Sequence, residues 1–448
     1  MIHRFLIVII IIISSCNKKN EFKNTSINIP NYNHSKYHIN FETTKQKKVQ
    51  ISYWDDENNK LFSHINNSSK HDIELPFLKP STKYSFKINS SSSYSPLYTF
   101  QTRDLPDFFP TLELKKDSSF SFDGYLLFKT QTNPGIHFMI DDLGNIVWYS
   151  VADSTLSRPF NLGNNFSYLS QSNKNIFHEI RYDGDTIFSK NTKENTLHHD
   201  ILINDSIYVA LTYEYINHKG NGFDSIMGDG IVVYDNEGDM IWKWNIFDHV
   251  DPLSEKYIIR EDWSHANAID VDKDGSYLVS FRNFDQIWKI NSKSGDIIWR
   301  LGINGDFKFE ENDFFYQQHA IHKIDNEKYM LFDNGSSEKR MTSRALIFNI
   351  DEDDKEYKMS KSVFLPDNLF SFKQGSVYMI ENDKYLFASS VNNKTVITNE
   401  NGEILWNLSS DKSFYRVYYV DNKNLFSKIN EDRVKVLTFP FNIIDELF

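Results

Sequence analysis

Short runs of alternating apolar and polar residues, each closed by turn residues, recur along most of this chain, and they predict strands rather than helices. From about residue 107 the alternation becomes a repeat. One unit places Gly before an acidic or amide residue and then apolar residues ending in an aromatic: Gly144-Asn-Ile-Val-Trp148, Gly184-Asp-Thr-Ile-Phe188, Gly238-Asp-Met-Ile-Trp242, Gly295-Asp-Ile-Ile-Trp299 and Gly402-Glu-Ile-Leu-Trp406. A second unit precedes the next copy: Asp205-Ser-Ile-Tyr208, Asp274-Gly-Ser-Tyr277, Asn326-Glu-Lys-Tyr329, Asn382-Asp-Lys-Tyr385 and, more weakly, Asp421-Asn-Lys-Asn424. Turns followed by short apolar strands at a spacing of roughly forty to sixty residues are the pattern of propeller blades of about four strands each. A degenerate copy fits between Glu352 and Phe364, which makes six blades the expected count and seven the alternative. The glycines supply turns and the aromatics fill space between blades, so neither is expected to do chemistry.

The region from 31 to 106 reads differently. Lys48-Val-Gln-Ile-Ser-Tyr-Trp54 and Tyr84-Ser-Phe-Lys-Ile88 alternate as strands, and Leu78-Lys-Pro-Ser-Thr-Lys-Tyr84 resembles the approach to the tyrosine corner of fibronectin type III sandwiches. The expected fold is therefore all-β: a six-bladed β-propeller over 107–448, preceded by a small fibronectin-III-like β-sandwich over 31–106.

The N-terminus adds a location. Met1-Ile-His-Arg4 is a basic start, Phe5 to Ile13 an apolar run, and Ile13-Ser-Ser-Cys16 an end that resembles a bacterial lipobox. Cys16 is the chain's one cysteine. Residues 1–16 are accordingly expected to be a lipoprotein signal peptide, with Cys16 as the lipidated residue and 17–30 as a polar linker. The expected location is the cell envelope, held to the membrane by a lipid anchor on the periplasmic side or the outer surface. No disulfide can form within such a chain. A net charge of −12 supplies no basic face for nucleic acid.

The chemistry is read from the blades. Ten residues before Tyr208 stands His198, ten before Tyr329 stands His319, and ten before Tyr385 stands Gly375 beside Ser376. Twelve before Tyr277, across a longer turn, stands His265. Three histidines at one level of a propeller, among 14 in the chain, point to a site at the channel mouth. His265 and Asn267 are two apart and so share a face of a regular strand, with Arg282 returning beside them. Imidazoles with an arginine and an amide suit the transfer of an anionic group. His199 points away from His198 on a regular strand, and a bulge reverses the two. His218 and His322 are taken as structural. A three-histidine zinc site supported by Asp200 is the rival, but the fixed charge of Arg282 counts against a cation there.

Asp262-Trp-Ser-His-Ala-Asn267 with Ser280-Phe-Arg282, then Gln318-His319, Phe332-Asp-Asn-Gly335 and Ser343-Arg344, together resemble the bacterial arylsulfate sulfotransferases. The resemblance implies a small N-terminal β-domain with a six-bladed propeller. It also implies passage of a sulfuryl group from an aryl sulfate donor to a phenolic acceptor, without a nucleotide sulfate and without any other cofactor. Carried over, His319 looks like the nucleophile that becomes sulfated in a ping-pong cycle, and Arg282, His265 and Asn267 like the groups that hold the sulfate. The His198-His199 pair matches the histidine that assists the phenolic oxygen, and the blade count selects His198 of the two. Ser376 or Gly375 stands near a small hydroxylated residue of the family. A homodimer is left open. Two other readings remain: a non-catalytic surface lipoprotein that binds glycan or protein partners, and an aryl-sulfate hydrolase.

Overall fold

The computed structural model describes residues 21–28 and 37–420, apart from 58–59, 64, 76, 133, 153–156, 161–164, 171–174, 182–185, 205–206, 221, 254–257, 326 and 381–382. The signal peptide and Cys16 lie outside the described residues, as does everything after Val420. Contacts divide the chain into two units, one of residues up to Phe109 with Phe138–Tyr149, the other of Pro110–His137 with Ser150–Val420. Among the described residues no helix is long and apolar enough to cross a membrane.

The first unit contains strands β1 (Phe22–Asn28), β2 (Tyr37–Asp55), β3 (Lys60–Phe62), β4 (Asn66–Leu75), β5 (Lys83–Ser90) and β6 (Tyr98–Gln101). The long β2 serves two layers. Its first half pairs with β1 and β4, and its second half pairs with β3 and β5, which carries β6. Alternate residues of both halves, among them Tyr37, Ile39, Phe41, Ile51 and Tyr53, meet Tyr84, Phe86 and Phe100 in one buried cluster. The tyrosine corner is present, since the Lys79 amide donates to the Tyr84 hydroxyl at 2.9 Å. The expected linker 17–30 is corrected in part: Phe22–Asn28 is a strand, because β2 offers it a free edge and Phe22 packs on Phe41 at 5.8 Å.

Six further antiparallel sheets follow in chain order. Sheet 1 contains Tyr125–Thr130, Gly135–Ile140 and Ile146–Ala152; sheet 2 runs from Ser157–Phe160 to Thr186–Asn191; sheet 3 from Leu197–Asn204 to Met240–Asn245. Sheet 4 runs from Ala266–Val271 to Ile297–Gly302, sheet 5 from His319–Asp325 to Glu356–Phe364, and sheet 6 from Ser376–Ile380 to Ile404–Ser410. Two strands from the ends of this region lock it together. Phe414–Val420 becomes the innermost strand of sheet 1, and Leu112–Lys116 adds to the outer edge of sheet 6. Each innermost strand contacts the next, and Phe414–Val420 contacts those of sheets 6 and 2. This β-propeller leaves its inner strands no open neighbour.

The repeat has a physical cause visible between sheets. Phe188 of sheet 2 stacks on Tyr208 of sheet 3 at 5.0 Å, and Trp242 of sheet 3 packs on Tyr277 of sheet 4 at 5.5 Å. Trp299 and Tyr329 share the buried cluster between sheets 4 and 5. The aromatic that ends one unit is therefore seated on the tyrosine of the other, one sheet further on. The degenerate copy is the turn into Glu356–Phe364, the fourth strand of sheet 5.

Candidate active site

Four of the six innermost strands start with a break in the ladder, and those breaks aim the side chains. Pairing slips between His198 and Ile201, Ala266 and Ala268, His319 and His322, and Phe414 and Val417. His199, His265, Gln317, Ala320 and Gln374 adopt left-handed φ between 52° and 57°. Such conformations cost roughly 1–2 kcal/mol per residue, and bulges of this kind redirect side chains next to active sites.

At His198 and His199 the bulge reverses what simple alternation gives. His198 is the buried member: it is 1% exposed, stacks on Tyr213 at 4.1 Å, and brings Nε2 to 3.1 Å from Asp229 Oδ1. His199 is the member that faces the site, with its ring 4.9 Å from His265 and 6.3 Å from Tyr415. The two are joined Nδ1 to Nδ1 at 2.8 Å. Burial opposes ionisation of Asp229, but His198, Ser264 and the Ala266 amide together hold its carboxyl below the usual range. An ionised Asp229 beside Nε2 asks for a hydrogen on that nitrogen of His198. Its Nδ1 then accepts from His199 Nδ1–H, and the basic nitrogen of His199 is Nε2.

His319 is oriented by the same logic. Its Nδ1 lies 2.8 Å from Asn334 Oδ1 and 2.9 Å from the Gln317 carbonyl. Both are acceptors, so Nδ1 carries the hydrogen and Nε2 carries the lone pair. Burial holds His319 well below the ordinary histidine range, with the charge of Arg282 next in effect. The ring is therefore neutral at neutral pH. Tyr415, from the strand that closes sheet 1, stands 6.0 Å ring to ring from His319.

The strand start beneath His319 is held from sheet 4. Gln318 Nε2 donates to the Gln286 carbonyl at 2.9 Å and to Ser280 Oγ at 3.1 Å, and the Gln318 carbonyl accepts from Asn267 Nδ2 at 2.8 Å. Arg282 is half-buried; Nη2 donates to Gln317 Oε1 at 2.9 Å and Nη1 to Asn283 Oδ1 at 3.1 Å. His265 is hydrogen-bonded through Nδ1 to Asp262.

His199, His265, His319 and Arg282 thus converge, and three expected residues do not join them. Asn267 is wholly buried with its amide turned to Gln318, because the bulge at 266–268 breaks the alternation that would have set it beside His265. Ser376 is wholly buried and its hydroxyl accepts from the Val417 amide at 3.3 Å. Gly375, at φ 96°, donates its amide to the Tyr415 carbonyl at 3.0 Å, and a Cβ there would lie 2.6 Å from the Ala388 carbonyl oxygen. Asn267 steadies the His319 strand, while Gly375 and Ser376 seat the strand of Tyr415. Asp200, the expected support of a metal-bound histidine, instead pairs with Arg416 at 2.8 Å. Among the described residues no group of three His, Cys, Asp or Glu side chains is arranged to hold a metal ion.

Sequence reading passed over Asn334, Asp229, Tyr415 and Arg416. Asn334 sits inside the Phe-Asp-Asn-Gly string. Tyr415 was within reach of the blade count, since ten residues before Asn424 stands Phe414, its neighbour. Asp229 and Arg416 carry no local signal.

Solved structures similar to this one include a protein of unknown function from Bacteroides caccae, at 11% identity over 66% of this chain and 98% of that one with a TM-score of 0.43. Virginiamycin B lyase from Staphylococcus aureus matches at 12% identity over 73% and 92%, TM-score 0.38. An auxiliary nutrient binding protein from Bacteroides thetaiotaomicron matches at 8% over 90% and 96%, TM-score 0.34. A search of curated proteins returns no match. The family model described as Arylsulfotransferase (ASST) matches residues 111–395.

Proposed function

The chain belongs to the arylsulfotransferase family, and from that membership we propose that it moves a sulfuryl group from an aryl sulfate to a phenol through His319. The observation that carries this reading is the buried, neutral imidazole whose Nδ1 is tied to Asn334 and the Gln317 carbonyl. In the first half-reaction Nε2 of His319 attacks sulfur, the S–O bond to the aryl oxygen breaks, and an N–S bond forms. Arg282 and His265 face the charge on the sulfuryl oxygens. His199 gives a proton to the departing phenolate oxygen. In the second half-reaction His199 takes the proton of the acceptor phenol, whose oxygen attacks sulfur and frees His319, as microscopic reversibility requires. His198 and Asp229 support the positive charge that His199 carries before the first half, gives up with its proton, and regains in the second.

The test uses 4-nitrophenyl sulfate and phenol. Nitrophenol release should depend on the acceptor, and the peptide containing His319 should gain the mass of one sulfuryl group when the acceptor is withheld. His319→Ala should lose both. Release that needs no acceptor would favour hydrolysis, and full activity of His319→Ala would sink the assignment. The chain is also proposed to be lipid-anchored in the cell envelope through Cys16; labelled fatty acid should enter the wild type and not Cys16→Ala.

A further inference from the structure

A cavity of about 440 Å³ opens among the same inner strands, beyond the level of the histidines. It begins at Asp200, Ala320 and Arg416 and continues to Asn204, Met379 and Tyr419. These follow His199, His319 and Tyr415 along strands that rise about 3.3 Å per residue. The proposed reaction at Nε2 of His319 uses none of the side chains beyond Arg416.

Three rings form one wall. His322 lies 4.9 Å from Tyr378, and Tyr378 lies 5.0 Å from Tyr418. Leu202, Ile269 and Ile321 add apolar surface. A flat aromatic molecule suits such walls, because offset and tilted rings attract beyond the area they bury. The volume falls in the range of small-molecule sites.

The polar groups decide what kind of aromatic. Among the described lining residues the one cation is Arg416, and it is already engaged: Nη1 bonds Asp200 at 2.8 Å and Nη2 bonds the Asn267 carbonyl at 2.6 Å. Asp270 adds a second carboxyl, one oxygen of which accepts from the Lys323 amide at 2.7 Å. An anion entering here meets an arginine whose charge Asp200 already balances, together with a second carboxyl group, so a sulfate ester is disfavoured. His322 gives its Nδ1 hydrogen to the Ala320 carbonyl at 2.9 Å, which leaves Nε2 as an acceptor. Burial pulls His322 down to about 4 and pushes Asp270 up to about 6, so His322 stays neutral at neutral pH.

We propose that this cavity binds an uncharged phenol through its ring wall and an acceptor for the phenolic hydroxyl, and refuses the corresponding sulfate ester. The occupant is thus the form of aryl compound that accepts or has lost a sulfuryl group, held at a site separate from His319.

The test needs no turnover. The full chain, labelled with ¹³C at its methionine methyls, is titrated with 2-naphthol and separately with 2-naphthyl sulfate. Met379, which is 41% exposed at the edge of the cavity, should show a saturable shift with naphthol and none with the sulfate. Met379→Leu identifies that signal. Met379→Trp fills the space and should weaken naphthol binding at this site about tenfold or more, while sulfuryl transfer stays unchanged. An unmoved Met379 signal, equal response to the sulfate ester, or unchanged naphthol affinity in Met379→Trp would each overturn the proposal. Because no sulfate donor is turned over, failure of the transfer reaction at His319 leaves these outcomes readable.

Discussion

Asn334 Oδ1 lies 2.8 Å from His319 Nδ1, and Asn334 is unable to present its other end. Its Nδ2 donates to the Ser371 carbonyl at 2.6 Å and to the Gln374 carbonyl at 2.7 Å. Two carbonyl acceptors thus orient an amide, the amide orients an imidazole, and the imidazole keeps its lone pair on Nε2. An asparagine does this without adding a charge that would favour the imidazolium.

Asn334→Ala is expected to lower kcat about 10- to 100-fold, the usual effect of losing a group that orients a reactive one, with KM nearly unchanged. A loss of packing alone would leave the tautomer intact. Nitrogen-15 spectra of the His319 ring should show the Nδ1–H form in the wild type and a mixture in the variant.

The acid limb of His319 sulfation should lie well below the ordinary histidine range, since burial first and Arg282 second hold the ring neutral. A cation nearby disfavours the imidazolium, so removing it raises the pKa of the ring. Arg282→Gln should therefore shift the acid limb of the single-turnover rate to higher pH, besides slowing the step. An unmoved limb would mean that Arg282 does not act on His319.

His199 and His198 should separate by leaving group. His199→Ala is expected to slow transfer from unactivated phenyl sulfates about 10²- to 10⁴-fold, the range of a positioned general acid. Donors that release nitrophenolate need little protonation and should be much less affected. His198→Phe should follow the same pattern more weakly, and the double variant should be no slower than His199→Ala, because His198 acts through His199.

Asp285 makes stability depend on pH. Burial pushes its carboxyl up to about 6 although the Gln317 amide bonds it. A raised folded-state pKa contributes stability that is present below about 4 and lost as pH rises through about 6. Asp285→Asn should keep the bond from the Gln317 amide, suit the left-handed φ of 54°, and raise stability at pH 7.5 by roughly 1–3 kcal/mol. At pH 4 the two proteins should unfold at nearly the same urea concentration.

Much of this protein was legible because its signals are local. A glycine turn and a closing aromatic lie four residues apart, and each blade must bury such an aromatic against the next, so the repeat is written wherever a blade is. The distance from a blade's tyrosine back to the start of its inner strand is nearly constant for the same reason, and it led to His319, His265 and the His198–His199 pair. The tyrosine corner of the first unit was readable in Leu78–Tyr84 because its hydrogen bond spans only five residues.

Direction was not local. Counting assumes that alternate residues face alternate ways, and four of the six inner strands break that rule where they enter the site. At His199 and His265 a left-handed residue turns the chain, so the buried and exposed members of the His pair change places and Asn267 turns inward. The sequence by itself determined the fold, its repeat and the strand ends that carry the chemistry. Only the tertiary structure decided which atoms face one another: His199 rather than His198, Asn334 behind His319, and Arg416 on Asp200 across 216 residues. Those choices depend on bulges and on buried charges finding partners from distant strands, and neither leaves a mark in spacing along the chain.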